Sequence, residues 1–139
     1  LIDYSQDFVD QAKCKELALN QISRGSKVVF QVAGGCGLGA LDAAKEQQVW
    51  GVGVDTDQSF LGPHILTSAV KRVDVAVLDA IRAAESGEFA GAKDLTFDLE
   101  NEGVGIGEIS PEVPQEFIDT MNELEPLILS GEIVPPTEV

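Results

Sequence analysis

The chain is short of the residues that build metal and redox sites. It holds one histidine and two cysteines in 139 residues. His64 stands alone between Pro63 and Ile65, with no second histidine and no Cys–His spacing, so no metal-ligand pattern is present. Cys14 and Cys36 are too few for a disulfide scaffold and too far apart for a zinc knuckle. Each lies beside a predicted helix start, so they read either as small buried side chains or as a bridge between neighbouring loops. Basic residues are also scarce: nine Lys and Arg face 24 Asp and Glu, for a formal net charge of −15. Nucleic acid and anionic lipid need clusters of Lys and Arg, and both are excluded as direct partners. The acid excess serves solubility or contact with a basic partner surface. No apolar run reaches the roughly 18 residues of a membrane helix. No Ser–His–Asp or Cys–His set exists beyond incidental members such as Ser59 and His64, so no catalytic residue and no cofactor is assigned. The chain starts at Leu1 without a methionine and reads as a processed or excised piece.

What the chain does have is a 44% apolar content, enough to build one compact domain or one lobe of a larger protein. Its most informative stretch is Val28-Val-Phe-Gln-Val-Ala-Gly-Gly-Cys-Gly-Leu-Gly39. Here a strand runs into a glycine-rich turn that opens a helix. The first N–H groups of that helix are expected to point outward without partners, as at an anion- or ligand-binding turn.

Around this turn the pattern predicts a helix over 10–24, with Cys14, Leu17, Ala18 and Ile22 on one face and Gly25 as the stop. A strand over 27–33 shows little alternation, as in a parallel sheet buried on both faces. A helix over 37–47, a strand from Trp50 to Val54 ending at Asp55, a polar loop to Pro63 and a strand from Ile65 to Val70 follow. Residues 72–85 carry an apolar stripe of Val73, Val77, Ile81 and Ala84. The βαβαβ-like order predicts an α/β fold with a doubly wound parallel sheet. Beyond it, Asp94 to Leu99 alternates like an edge strand, and 101–107 is glycine-rich and turn-like. Ser110-Pro111 looks like a capped helix start. Val113, Phe117, Met121, Leu124 and Ile128 give that helix its apolar face, Pro126 should kink it, and Ile133 to Val139 reads as an extended tail.

Open α/β sheets bind ligands at the carboxyl ends of their strands. The turn Ala33 to Gly37, the Asp55-Thr-Asp-Gln58 loop and Lys71 just after the third strand converge there. Phe8, in the loop before the first helix, lies at the same edge and can stack on a flat base or staple onto the helix. Gly35-x-Gly37-x-x-Ala40 also fits the dinucleotide fingerprint, with Asp55 near the place of a ribose-binding acid. A Rossmann-type domain of an NAD-dependent oxidoreductase is therefore one reading, and a regulatory module that kept the fold without a ligand is another.

Three ordered segments carry a resemblance. Phe30-Gln-Val-Ala-Gly-Gly-Cys-Gly37, Gly53-Val-Asp-Thr-Asp-Gln58 and Leu66-Thr-Ser-Ala-Val-Lys-Arg-Val-Asp-Val-Ala-Val77 resemble the basic membrane protein family of substrate-binding lipoproteins, which are similar to purine nucleoside receptors of ABC transporters. Ala12-Lys-Cys-Lys-Glu-Leu-Ala-Leu19 and Gly103-Val-Gly-Ile-Gly107 extend the likeness to about residues 4–133. The resemblance implies the carboxy-terminal lobe of a type I periplasmic-binding-protein fold, whose two lobes close on a nucleoside across a three-strand hinge. It implies that Gly34 approaches the ligand, Asp55 and Lys71 hold ribose hydroxyls, and Phe8 stacks on the base. The implied partners are a purine nucleoside, an ABC permease, and the chain's own amino-terminal lobe or a swapped copy. The implied location is extracytoplasmic, on a lipid anchor outside this chain. The domain expectation is a ligand-binding core at 1–71, then a hinge-crossing helix, an edge strand and a terminal helix at 72–139. The apolar face of Val73, Val77 and Ile81 is expected to be uncovered. Family members usually carry a small residue at Cys14 and often Thr at Cys36, and this double departure adds slightly to the disulfide reading while the small buried side chain stays the default.

Overall fold

A computed structural model describes residues 1–89 and 91–136. The elements are α1 (Gln11–Ser23), β1 (Val28–Phe30), α2 (Gly37–Glu46), β2 (Trp50–Asp55), β3 (Ile65–Lys71), α3 (Val73–Ser86), β4 (Val104–Ile106) and α4 (Gln115–Leu129). Single 3-10 turns at Gly34–Cys36 and Ser59–Leu61 join β1 to α2 and β2 to β3. The sheet runs in the order β1-β2-β3-β4, parallel except for β4, which lies antiparallel to β3. The α/β class is therefore the observed one, although a loop with a 3-10 turn, not a helix, joins β2 to β3, and the fourth strand is antiparallel.

The chain forms two compact units. The first joins Leu1–Arg72 with Val104–Ser110, and the second joins Val73–Gly103 with Pro111–Val139.

In the first unit, Asp10 caps α1 by accepting hydrogen bonds from the N–H groups of Ala12 and Lys13, at 3.0 and 3.2 Å. The helix packs against α2 through small side chains. Cys14, Ala18, Cys36, Ala40, Ala43 and Ala44 form one buried cluster with Val29 and Val49. Small residues let the two helices approach closely: a Cβ on Gly39 would collide with the Gln11 backbone. Cys14 and Cys36 form a disulfide, with Cα atoms 5.5 Å apart, that ties α1 to the glycine turn. Lys15 on α1 also pairs with Asp42 and Glu46 on α2, at 2.6 and 2.7 Å, in an exposed arrangement that adds little.

β1 departs from expectation. It is shorter than 27–33, and only Val29 is buried, while Val28 and Phe30 are about half exposed. The reason is that alternate side chains point to opposite faces: Val29 packs into the cluster with α1 and α2, while Val28 and Phe30 face the side those helices do not cover. Asp57 pins the loop after β2. Its carboxylate accepts from the N–H of Ser59 at 3.0 Å and from the N–H of Glu108 at 3.1 Å, beyond β4.

The second unit holds α3 and α4, and neither helix has a fully buried residue. Val73, Val77 and Ile81 are exposed. Three expectations fail around this unit. Asp94 to Leu99 is not a strand, because Asp98 and Asn101 turn the backbone back on itself. Asp98 N–H donates to Asn101 Oδ1 and Glu100 N–H donates to Asp98 Oδ1, at 2.9 and 3.0 Å. The fourth strand lies instead at Val104–Ile106, inside the segment read as a glycine turn, and pairs with Ala69–Lys71. Ser110 does not cap α4. Its N–H donates to the Leu66 carbonyl at 2.8 Å, which holds that backbone to the sheet, and the helix begins at Gln115 after Pro114. The helix runs on through Pro126, whose missing N–H leaves the Asn122 carbonyl without its intrahelical donor. Of the tail expected from Ile133 to Val139, residues 137–139 lie outside the described residues.

Two stability predictions follow from these contacts. The double variant Cys14→Ala, Cys36→Ala should lose about 2–4 kcal/mol in urea unfolding, and a reductant should lower the parent protein alike. Equal midpoints with and without reductant would show that the bridge contributes nothing. The N–H groups of Ser59 and then Glu108 hold the Asp57 carboxyl below its ordinary pKa of 3.8. Its folded value is depressed, so its stabilisation is complete above the unfolded pKa of about 3.9 and fades as pH falls through the lower folded value. Asp57→Asn should therefore be less stable at neutral pH, with a flatter stability curve below about pH 4. A curve as steep as the parent's would remove Asp57 from that role.

Candidate functional site

Because β1, β2 and β3 are parallel, the turn after β1, the loop after β2 and the end of β3 share one rim. Register does the rest: Asp55 lies opposite Val70, one residue before Lys71. The Asp55 carboxylate and the Lys71 ammonium meet at 2.8 Å, with side chains 51% and 66% exposed. An ion pair this open to water is worth about 0–1 kcal/mol, so it holds the fold only weakly and stays open to another hydrogen-bonding group.

Asp55 itself is strained. Its φ is 69°, left-handed for a residue with a Cβ, and Thr56 N–H donates across it to the Val54 carbonyl at 2.9 Å. This is a γ-turn centred on Asp55, a conformation costing about 1–3 kcal/mol that is typically kept where a side chain must be re-aimed.

Phe8 and Gly34 meet at the neighbouring turn. Gly34 takes a φ of 55°, which glycine adopts without penalty. The Phe8 carbonyl accepts from Cys36 N–H at 3.0 Å, and the Phe8 ring carbon nearest Gly34 is 3.6 Å from where a Cβ would stand. The loop that carries Phe8 is set by Asp7, which accepts from the N–H groups of Val9 and Asp10 at 2.7 and 2.8 Å. Those bonds, led by the one from Asp10, lower the Asp7 pKa. The Phe8 side chain is 73% exposed and does not staple the helix. All four predicted residues thus stand exposed on one rim, as two touching pairs: Phe8 with Gly34, and Asp55 with Lys71.

One expectation about the turn is corrected. The helix N–H groups are not all free, because Cys36 N–H is taken by the Phe8 carbonyl and Gly37 N–H turns back to the carbonyls of Gly34 and Gly35. Gly37 does not open the backbone to a pyrophosphate either. It is buried, and the Gln31 side chain fills the space that its Cβ would need. The dinucleotide fingerprint therefore lacks its middle function here.

Beneath the rim lies a polar layer missed by reasoning from sequence. Gln31, Gln58 and Ser68 are 5%, 8% and 0% exposed. Gln31 Nε2 donates to Gln58 Oε1 at 3.1 Å, Val54 N–H donates to the same oxygen at 3.0 Å, and Gln58 N–H donates to Ser68 Oγ at 2.9 Å. Gln31 Oε1 accepts from Ala33 N–H at 3.2 Å. A glutamine inside the apolar run Val28 to Ala33 was the available signal.

His64 lies at the start of β3, away from the rim. Burial, and then Lys45, lower its pKa, and its Nδ1 is buried without a hydrogen-bond partner. Among the described residues, no group of three or more His, Cys, Asp or Glu side chains is placed to hold a metal ion. No helix there is long and apolar enough to cross a membrane. A groove of about 580 Å³ follows the open edge of β1, lined by Tyr4, Val28, Phe30 and Val32. It shares Phe8 and Ala33 with the rim, while Asp55 and Lys71 lie outside it.

Comparison with known proteins is consistent with this geometry. The family described as ABC transporter substrate-binding protein PnrA-like matches residues 2–138. The ABC transporter nucleoside-binding protein BmpA of Lactococcus lactis subsp. cremoris is 32% identical over 99% of this chain and 44% of its own length. The CD4+ T-cell-stimulating antigen of Listeria monocytogenes serovar 1/2a is 31% identical over 97% of this chain and 43% of its own length. A solved solute-binding protein of an ABC transporter system from Aeropyrum pernix K1 superposes with a TM-score of 0.83 at 26% identity, covering 98% of this chain and 48% of that one. The chain thus spans less than half the length of these relatives. Its fold is that of a periplasmic-binding-protein lobe, and the chain belongs to the Bmp family of PnrA-like ABC transporter substrate-binding proteins.

Proposed function

We propose that this chain is the carboxy-terminal lobe of a two-lobed receptor that holds a purine nucleoside and presents it to an ABC permease outside the cytoplasm. The reading rests above all on the exposed Asp55–Lys71 pair, set on a strained turn at the carboxyl rim of a parallel sheet. A carboxylate accepts two hydrogen bonds from neighbouring hydroxyls, and an ammonium donates to a third oxygen. That combination suits a ribose, and the family match and the nucleoside-binding name of the Lactococcus relative support it.

In this reading Asp55 and Lys71 grip the sugar. The turn at Gly34 lets the ligand approach the backbone, and the exposed Phe8 ring stacks on the base. Binding and hand-over without bond-making require no general base or nucleophile. The segment 72–139 supplies a helix, α3, that crosses the hinge, and the remaining length of the relatives supplies the opposing lobe. The uncovered Val73, Val77 and Ile81 then face that lobe or its counterpart in a swapped copy.

Calorimetry on the intact protein should show binding of adenosine, guanosine or inosine. Asp55→Ala should weaken it about tenfold or more, and a ribose lacking a gripped hydroxyl should lose on the order of 1–3 kcal/mol. Unchanged affinity in Asp55→Ala would remove that residue from the site. Binding of NADH, with none of any nucleoside, would overturn the reading in favour of a dinucleotide domain.

A further inference from the structure

The rim carries two separate pairs, Phe8 with Gly34 and Asp55 with Lys71, on loops that leave different strands. A ligand that touches both pairs needs the loops held at a fixed spacing. The backbone ladder between β1 and β2 ends at Phe30 and Val52, short of both loops. Beyond that point one direct link among the described side chains ties them: the hydrogen bond from Gln31 Nε2 to Gln58 Oε1 at 3.1 Å.

Each amide is anchored to its own loop. Gln31 Oε1 accepts from Ala33 N–H, at the start of the glycine turn. Gln58 Oε1 accepts from Val54 N–H, immediately before Asp55, and Gln58 N–H is held by Ser68 Oγ on β3. The two backbone donors also fix the orientation of both amides, because an N–H must face an oxygen. With Gln31 Oε1 turned to Ala33, its NH₂ group is left to face Gln58, where an oxygen already waits for Val54. The glycines complete the device. A Cβ on Gly37 would collide with the Gln31 side chain, and one on Gly53 would crowd Ser68 Oγ and Gln58 Oε1. Gly37, a member of the dinucleotide fingerprint in the sequence, and Gly53 therefore make room for the amides.

We propose that Gln31 and Gln58 are positioning residues: their mutual hydrogen bond couples the Phe8–Gly34 turn to the Asp55 turn and sets the spacing of the two halves of the binding rim. The proposal rests on reading this rim as the ligand site, and its test needs no ligand, so each can fail without the other.

Native-state hydrogen exchange on the full-length protein reads the coupling at two reporter amides. Cys36 N–H is bonded to the Phe8 carbonyl, and Thr56 N–H is bonded across Asp55. Gln31→Met and Gln58→Met should each speed exchange at both reporters by about tenfold or more, while Val52 in β2 stays at the parent rate. Each Met change also removes the bond of that amide to its own loop, so the double Met variant should loosen the reporters by less than the sum of the two single effects, the shared bond being lost only once. The proposal is overturned if each Met change loosens only its own loop, or if the double variant shows the full sum of the single effects. Should the Met variants not fold, the parent protein still decides: the two reporters exchange with one shared denaturant dependence if coupled, and with two different ones if not.

Discussion

Parallel strands deliver their carboxyl ends to the same side of a sheet, and everything at the candidate site depends on that pairing. β1, β2 and β3 run together, so residues far apart in sequence leave the sheet at one rim. The register then sets the finer contact, with Asp55 opposite Val70 and therefore beside Lys71. A slip of one residue would turn Asp55 to the other face. Strain at Asp55 is held by the structure around it: Val54 is tied to Gln58 on one side, and Asp57 is tied to Ser59 and Glu108 on the other.

The site is built in two layers. The upper layer is exposed and carries charge, an aromatic ring and bare glycine backbone. The lower layer is buried, neutral and closed, with each amide satisfied by a backbone donor and a side-chain partner. A buried amide without a partner would cost on the order of 1–3 kcal/mol, so the lower layer resists rearrangement while the upper one stays open to solvent. The disulfide adds a third restraint from below. Cys36 belongs to the glycine turn and Cys14 to α1, so the turn is held both by a covalent bond and by the Phe8 carbonyl.

Much of this was legible from residue patterns, and the failures have physical causes. The helices α1, α2 and α3 and the strands β2 and β3 stand where periodicity placed them, because their apolar faces repeat cleanly. The rim positions of Asp55, Lys71 and the glycine turn follow from the strand ends, while Phe8 comes from the loop before α1 and the choice of Gly34 within the turn from the family resemblance. The misses lie where long-range pairing overrides local pattern. Leu95, Phe97 and Leu99 alternate like a strand, yet Asp98 and Asn101 bond their own backbone. Gly105 looks like a turn residue, yet Val70 offers it a partner. Ser110 looks like a cap, yet Leu66 claims its N–H. The γ-turn at Asp55 and the amide pair beneath it leave little trace in sequence, since both depend on contacts between separate strands. Gln31 was the exception, a polar residue inside an apolar run.

The most direct measurement is a structure of the intact protein with a purine nucleoside bound. The account predicts ribose hydroxyls within about 3 Å of the Asp55 carboxylate and the Lys71 ammonium, and the base against the Phe8 ring. A nucleoside seated instead in the groove along the β1 edge, with Asp55 and Lys71 still paired only to each other, would contradict it.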